Sequence, residues 1–156
     1  MYFYAHCGAA LVQTADEFHP LMSVVCTNLN CVVVNIDFRN GPEVKCPTGQ
    51  KDYRSVVLHV LDNATTYGID PKRACMTGIS GGGWIAVGAM NLMVKDGQSD
   101  RIKALFVHTG MLSHETGRVP ENEIHKYENY TGIPVKCMTQ NYKLHATDFE
   151  NQWEDD

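Results

Sequence analysis

Long apolar runs are missing from this chain of 156 residues, and none approaches the roughly 20 residues that a membrane-spanning helix takes. Basic excess is missing too. The formal net charge of −5 leaves no electrostatic footprint for nucleic acid or an anionic membrane surface. The beginning of the chain shows no positively charged stretch leading into an apolar segment and a small-residue cleavage site, so the expected location is cytoplasmic. Metal-ligand spacing is absent as well. His6, His19, His59, His108, His114, His125 and His145 are scattered without an H-E-x-x-H pair, and Cys26 and Cys31 have no second pair to complete a zinc site. No metal is expected. Six cysteines fall largely within apolar segments of a chain too large to need covalent staples, which predicts free thiols. No internal repeat or low-complexity linker interrupts the chain.

What is present is an alternation of short β-rich and longer helical segments, the pattern of a parallel sheet in an α/β domain. Strands are expected at 2–5, 31–37, 73–78 and 103–108, with helices in 15–29, 49–67 and 82–95. Thr14 to Glu17 fits a capping box, while Pro20 requires the first helix either to kink or to begin there. In the second helix Tyr53, Val56, Val57, Val60, Leu61 and Ala64 repeat at helical spacing and form a core face, with Gly68 as the expected stop. The third helix, from Gly83 through Val94, is apolar on every side and is therefore expected to be buried.

Between the third strand and that helix stands Gly78-Ile79-Ser80-Gly81-Gly82, a G-x-S-x-G pentapeptide. In a strand-to-helix turn this pattern is a nucleophile elbow, and its glycines let backbone and substrate approach the serine hydroxyl. The helix N-terminus behind it favours developing negative charge. Ser80 is the candidate nucleophile. After the first strand comes His6-Cys7-Gly8-Ala9, which resembles an oxyanion loop, a hole made by backbone N–H groups.

Taken together these segments resemble the hormone-sensitive-lipase-like branch of the α/β-hydrolase fold, whose esterases carry a His-Gly-Gly-Gly motif after an early strand. Here Cys7 and Ala9 replace two of the glycines. Asp37-Phe38-Arg39 is similar to the family's Asp-Tyr-Arg triplet, and Gly41-Pro42-Glu43 with Cys46-Pro47 is similar to its Ala-Pro-Glu and following proline. Gly68-Ile69-Asp70-Pro71-Lys72-Arg73 looks like the family's approach to the elbow strand, and Ile79 and Gly81 stand where the elbow usually has an acid and alanine. The likeness covers residues 2 to 113. It implies an α/β-hydrolase core over residues 1–113, a cap-like segment over 114–156, no cofactor, and a small-molecule ester as substrate.

The resemblance also implies roles. Ser80 would attack the ester carbonyl, Gly8, Ala9 and Gly81 would offer N–H groups to the oxyanion, and His6 with Cys7 would shape the loop. A working elbow further requires an acid and then a histidine later in the chain. Neither is found where the family has it. Over 133–139 a strand would lead to Gln140-Asn141-Tyr142 in place of the acid, and His145 precedes Asp148 with no histidine after it. His108 and His114 are poorly placed as bases. The expectation is a chain incomplete at both ends, with open sheet edges available for self-association.

Two other classes compete with a hydrolase. A noncatalytic hydrolase-like module would bind a ligand through the same pocket without turnover. Dinucleotide binding is suggested by Gly81-Gly82-Gly83-Trp84-Ile85-Ala86, formally a G-x-G-x-x-A after a strand. That fingerprint expects an acid at the end of the next strand, where this chain has Val107-His108-Thr109.

Overall fold

The computed structural model describes residues 1–110, which fall within one compact unit, Met1–Leu112. Four strands, β1 (Tyr2–Ala5), β2 (Val33–Ile36), β3 (Cys75–Ile79) and β4 (Ala104–His108), form a sheet in the order β2-β1-β3-β4. All three pairings are parallel. Helices α1 (His19–Leu29), α2 (Thr48–Asp62) and α3 (Gly81–Lys95) alternate with them. Short 3-10 turns at Ala15–Phe18, Pro71–Arg73 and Ser99–Arg101 lead into α1, β3 and β4. The expected α/β fold class and the order of its elements are therefore observed, and the expected cap-like segment over 114–156 lies outside the described residues.

Strand alternation assigns each face of the sheet. Phe3 and Ala5 of β1, Ile36 of β2 and Met76 of β3 point to one side and meet Tyr53, Val57 and Leu61 of α2 and Ile85, Ala86, Ala89 and Met93 of α3. This is the core. Tyr53 locks it by polar contacts as well: its buried hydroxyl donates to the Phe3 carbonyl at 2.9 Å and accepts from the Thr77 N–H at 3.3 Å. A phenolate there would be desolvated, so burial raises the hydroxyl's pKa above its ordinary value. On the opposite face Tyr4 meets Phe18 with ring centroids 6.0 Å apart, and burial pushes its hydroxyl up to about 12.

Two expectations need correction. The second helix stops at Asp62, five residues short of the expected 67, because Asn63 leaves helical geometry and the chain then turns through Gly68, whose φ of 63° takes the left-handed conformation. Of the two alternatives for Pro20, the helix start is the one observed: α1 begins at His19 and Pro20 sits in its first turn, where its missing N–H is harmless. Helix α3 is not buried all round. It lies on one face of the sheet, so Asn91 and Val94 remain exposed while Ile85, Ala89 and Met93 enter the core. Thr14 does close the first turn as expected, its N–H donating to Glu17 Oε1 at 3.0 Å.

Strand order also locates a crevice. From β1 the chain runs outward to β2, whereas from β3 it runs outward to β4 on the other side. The C-terminal ends of the neighbouring strands β1 and β3 thus lie where the winding reverses, and open α/β sheets bind ligands at such a point. The segments leaving those ends are His6–Ala10 and the Ser80 turn.

Candidate active site

Ser80 joins β3 to α3 with φ 54° and ψ −119°, a conformation that costs a residue with a side chain roughly 1–3 kcal/mol. Its neighbours hold it there. The Ser80 N–H donates to the His108 carbonyl at 2.9 Å, tying the turn to the end of β4, and the Ser80 carbonyl accepts from the Gly83 N–H at 3.0 Å. Glycine at 78 is demanded by the same turn, since a Cβ there would stand 2.1 Å from the Gly82 carbonyl oxygen.

The loop after β1 winds left-handed through Gly8, Ala9 and Ala10, with φ of 98°, 56° and 55°. The carbonyl of Gly8 closes the turn by accepting from Leu11 and Val12 N–H groups, each at 3.0 Å. A Cβ on Gly8 would meet the Val12 carbonyl oxygen at 2.1 Å, so this one glycine of the tetrapeptide is sterically required. Cys7 tolerates its side chain because the thiol turns to Gln13 Oε1 at 3.2 Å.

Loop and elbow are packed backbone to backbone. A Cβ on Gly81 would lie 2.6 Å from Ala9 Cα and Ala10 N, and one on Gly82 would lie 2.2 Å from the Ala5 carbonyl oxygen. The glycines after Ser80 therefore admit the chain's own loop. That is also why the formal G-x-G-x-x-A pattern does not signify a nucleotide: protein backbone, not a ligand, fills the space the glycines open. Among the described residues the N–H groups of Gly8, Ala9 and Gly81 donate to no backbone carbonyl.

His6 is fully buried. Its ring is stacked on Phe38 (centroids 4.4 Å apart, planes 10° from parallel) and more loosely on Phe18 (5.9 Å, 12°). Nδ1 lies 2.8 Å from the Cys7 carbonyl oxygen, which can only accept, so Nδ1 carries the proton. Among the described residues Nε2 has no hydrogen-bond partner, and it stands 3.6 Å from Asp37 Oδ1. Beyond β2, Arg39 and Asp52 make a bidentate pair, Nε to Oδ2 at 2.8 Å and Nη2 to Oδ1 at 2.7 Å, with the Arg39 N–H also donating at 3.1 Å. The side-chain hydrogen bond from Arg39 holds the Asp52 carboxyl below its ordinary range.

The structure thus brings His6, Cys7, Gly8, Ala9, Ser80 and Gly81, the residues singled out from sequence, to one end of the sheet. His108 is exposed at the end of β4 and serves the elbow through its carbonyl. His114, His145, Asp148 and the segment 133–142 weighed for the remaining triad lie outside the described residues, as does Cys137; Cys7, Cys26, Cys31 and Cys75 are free. Among the described residues no group of three or more His, Cys, Asp or Glu could hold a metal ion, and no helix is long and apolar enough to cross a membrane. Asn35 and Phe18 were not singled out from sequence. An aromatic residue at the end of a capped turn was the available signal.

Residues 2–155 match a family described by the alpha/beta hydrolase fold. Versiconal hemiacetal acetate esterase of Dothistroma septosporum is 33% identical over 138 residues, covering 85% of this chain and 42% of that protein. Among solved structures, a thermostable carboxylesterase cloned from a metagenomic library superposes with a TM-score of 0.81 at 22% identity, over 92% of this chain and 49% of that one. Brefeldin A esterase, a bacterial homologue of human hormone-sensitive lipase, gives 0.76 at 23% identity, over 96% and 45%. This chain therefore spans less than half the length of each of these proteins. Elbow, loop and parallel sheet agree with these likenesses: the chain belongs to the α/β-hydrolase family.

Proposed function

We infer that this chain carries the nucleophile and oxyanion hole of a serine hydrolase acting on small carboxylic esters. The observation that supports this most directly is the strained Ser80 turn pressed against the left-handed loop at Gly8 and Ala9. In this reading Ser80 Oγ attacks the ester carbonyl carbon, and the carbonyl oxygen becomes the oxyanion of a tetrahedral intermediate. The N–H groups of Gly8, Ala9 and Gly81 receive it. Each such donor contributes about 2.7–4 kcal/mol of transition-state stabilisation in a dry, preorganised site, and the N-terminus of α3 adds favourable polarity. Collapse of the intermediate expels the alcohol and leaves an acyl-serine, which water then cleaves.

Attack requires a base to take the Ser80 proton. His6 is committed elsewhere, its ring buried between aromatic neighbours and its Nδ1 proton given to Cys7. The reading assigns the base and its acid to no residue of 1–110. The relative from Dothistroma septosporum is an acetate esterase by name, which favours a short acyl group. Labelling with a fluorophosphonate, followed by intact-mass measurement, tests the nucleophile. A single adduct lost in Ser80→Ala supports the hydrolase, whereas absence of any adduct favours a noncatalytic module that binds a ligand at the same crevice.

A further inference from the structure

The peptide unit joining Cys7 to Gly8 carries two groups that matter. Its carbonyl accepts from His6 Nδ1 at 2.8 Å, and its N–H belongs to Gly8, one of the donors assigned above to the oxyanion. A trans peptide is planar, so fixing one group fixes the direction of the other. The orientation of the His6 ring therefore sets the aim of the Gly8 N–H.

What fixes the ring lies on other elements. Phe38, just beyond β2, covers one of its contacts, and Phe18, the last residue of the 3-10 turn at Ala15–Phe18, supplies the second. That turn is clamped at its first residue from both sides. The Ala15 N–H donates to Asp37 Oδ1 at 3.0 Å, and the Ala15 carbonyl accepts from Asn35 Nδ2 at 2.6 Å. Residues 35 and 37 lie on one face of the chain leaving β2. Together they hold the turn, and the turn holds Phe18 against His6.

We propose that Asp37 is a positioning residue for the oxyanion hole, acting as the acceptor that docks the Ala15–Phe18 turn and so keeps the His6 ring, and with it the Gly8 N–H, in register. The role belongs to its oxygen as a hydrogen-bond acceptor rather than to its charge. Asp37 is exposed, so replacing it leaves the core untouched. This inference rests on the assignment of Gly8 to the oxyanion hole.

The test compares wild type with Asp37→Ala, Asp37→Asn and Phe18→Leu, each confirmed folded by circular dichroism. Two readouts are taken: the second-order rate of fluorophosphonate adduct formation at Ser80, and the His6 ring-proton shifts by NMR, which neighbouring aromatic rings displace upfield. Asp37→Ala and Phe18→Leu should slow labelling by about 10- to 100-fold, the scale set by a displacement near 1 Å, and should move the His6 protons downfield. Asp37→Asn keeps an oxygen that accepts from Ala15 and should stay within about twofold of wild type on the same scale. A purely structural residue would lower the unfolding midpoint while leaving the folded protein's labelling rate and His6 shifts alone. Unchanged labelling or unchanged ring shifts in Asp37→Ala overturn the proposal, as does an Asp37→Asn variant as impaired as Asp37→Ala. Should wild type itself fail to label, the hydrolase reading fails, and the ring shifts alone then decide whether Asp37 positions His6.

Discussion

Replacing Gly82 by alanine pits two opposite expectations against each other. By helix propensity alone the change should stabilise α3, since alanine is better than glycine in a helix by up to about 1 kcal/mol. By packing it should do the reverse. A Cβ at this position would lie 2.2 Å from the Ala5 carbonyl oxygen, 2.3 Å from that of His6 and 2.6 Å from the Ala5 carbonyl carbon. Carbon and carbonyl oxygen come to rest at about 3.3 Å or more, so the gap has to open by about 1 Å. All three obstructing atoms are backbone, and β1 is held between β2 and β3 on both sides, so no side chain can swing away to relieve the contact.

Overpacking of this kind costs about 1–3 kcal/mol, and rigid backbone on both sides puts the cost at the upper end. After subtracting the propensity gain, Gly82→Ala should lose about 2 kcal/mol. Urea denaturation followed by circular dichroism reads this directly. The same displacement separates the loop from the elbow, so the folded fraction should also label with fluorophosphonate about 100-fold more slowly. Gly68→Ala serves as the control, because nothing lies within 4 Å of its Cβ and only its φ of 63° is at stake, a cost of about 1 kcal/mol. If Gly82→Ala proves as stable as wild type or more so, the backbone contact between loop and elbow is wrong.

Tyr53→Phe removes a hydroxyl that serves Phe3 and Thr77 in a fully buried setting, and should cost about 1–3 kcal/mol in the same urea assay; an effect below about 0.5 kcal/mol would mean the strands satisfy those groups unaided. Ala9→Gly relieves a left-handed alanine with φ 56° and should stabilise by about 0.5–1 kcal/mol once the extra freedom of the unfolded chain is deducted; a lower urea midpoint would contradict the loop geometry. Asp52 is depressed by Arg39, so its contribution is complete above the unfolded carboxyl's value of about 3.9 and is lost as pH falls through the lower folded value. The melting-temperature gap between wild type and Asp52→Asn should therefore be widest at neutral pH and narrow below pH about 4; a gap independent of pH would remove the ion pair as its cause. Gln50 is buried with neither amide atom partnered among the described residues, and Gln50→Met should raise the unfolding free energy by about 1 kcal/mol, with a loss of similar size showing that the amide is satisfied by water.

The later half of the sheet was legible because its strands are punctuated. Gly68 and Pro71 announce β3, Gly97 precedes β4, and the alternation with helices leaves parallel pairing as the one economical arrangement. Local signals failed where tertiary packing decides. The glycines at 81 to 83 read alike in sequence, yet they open onto different neighbours: Ala9 and Ala10 for the first, Ala5 and His6 for the second, Val107 and Gly110 for the third. No spacing rule distinguishes such contacts from a phosphate cradle. The apolar run of α3 likewise suggested burial on all sides, because composition reports that a helix has no polar face without reporting whether two layers or one will cover it.

The tetrapeptide at the end of β1 shows how a departure from a motif is absorbed when each glycine's work is separated. At position 8 the backbone itself would collide with any side chain, and glycine is kept. At position 9 the requirement is conformational alone, and alanine meets it at a cost of roughly 1–2 kcal/mol. At position 7 no positive φ is required, so the residue is free to carry a side chain, and its thiol reaches Gln13 and ties the start of the loop to its end. The loop's path is thus set by one steric glycine, one tolerated strain and one added contact. Its aim is set from outside, by the histidine before it and the aromatic rings against which that histidine rests.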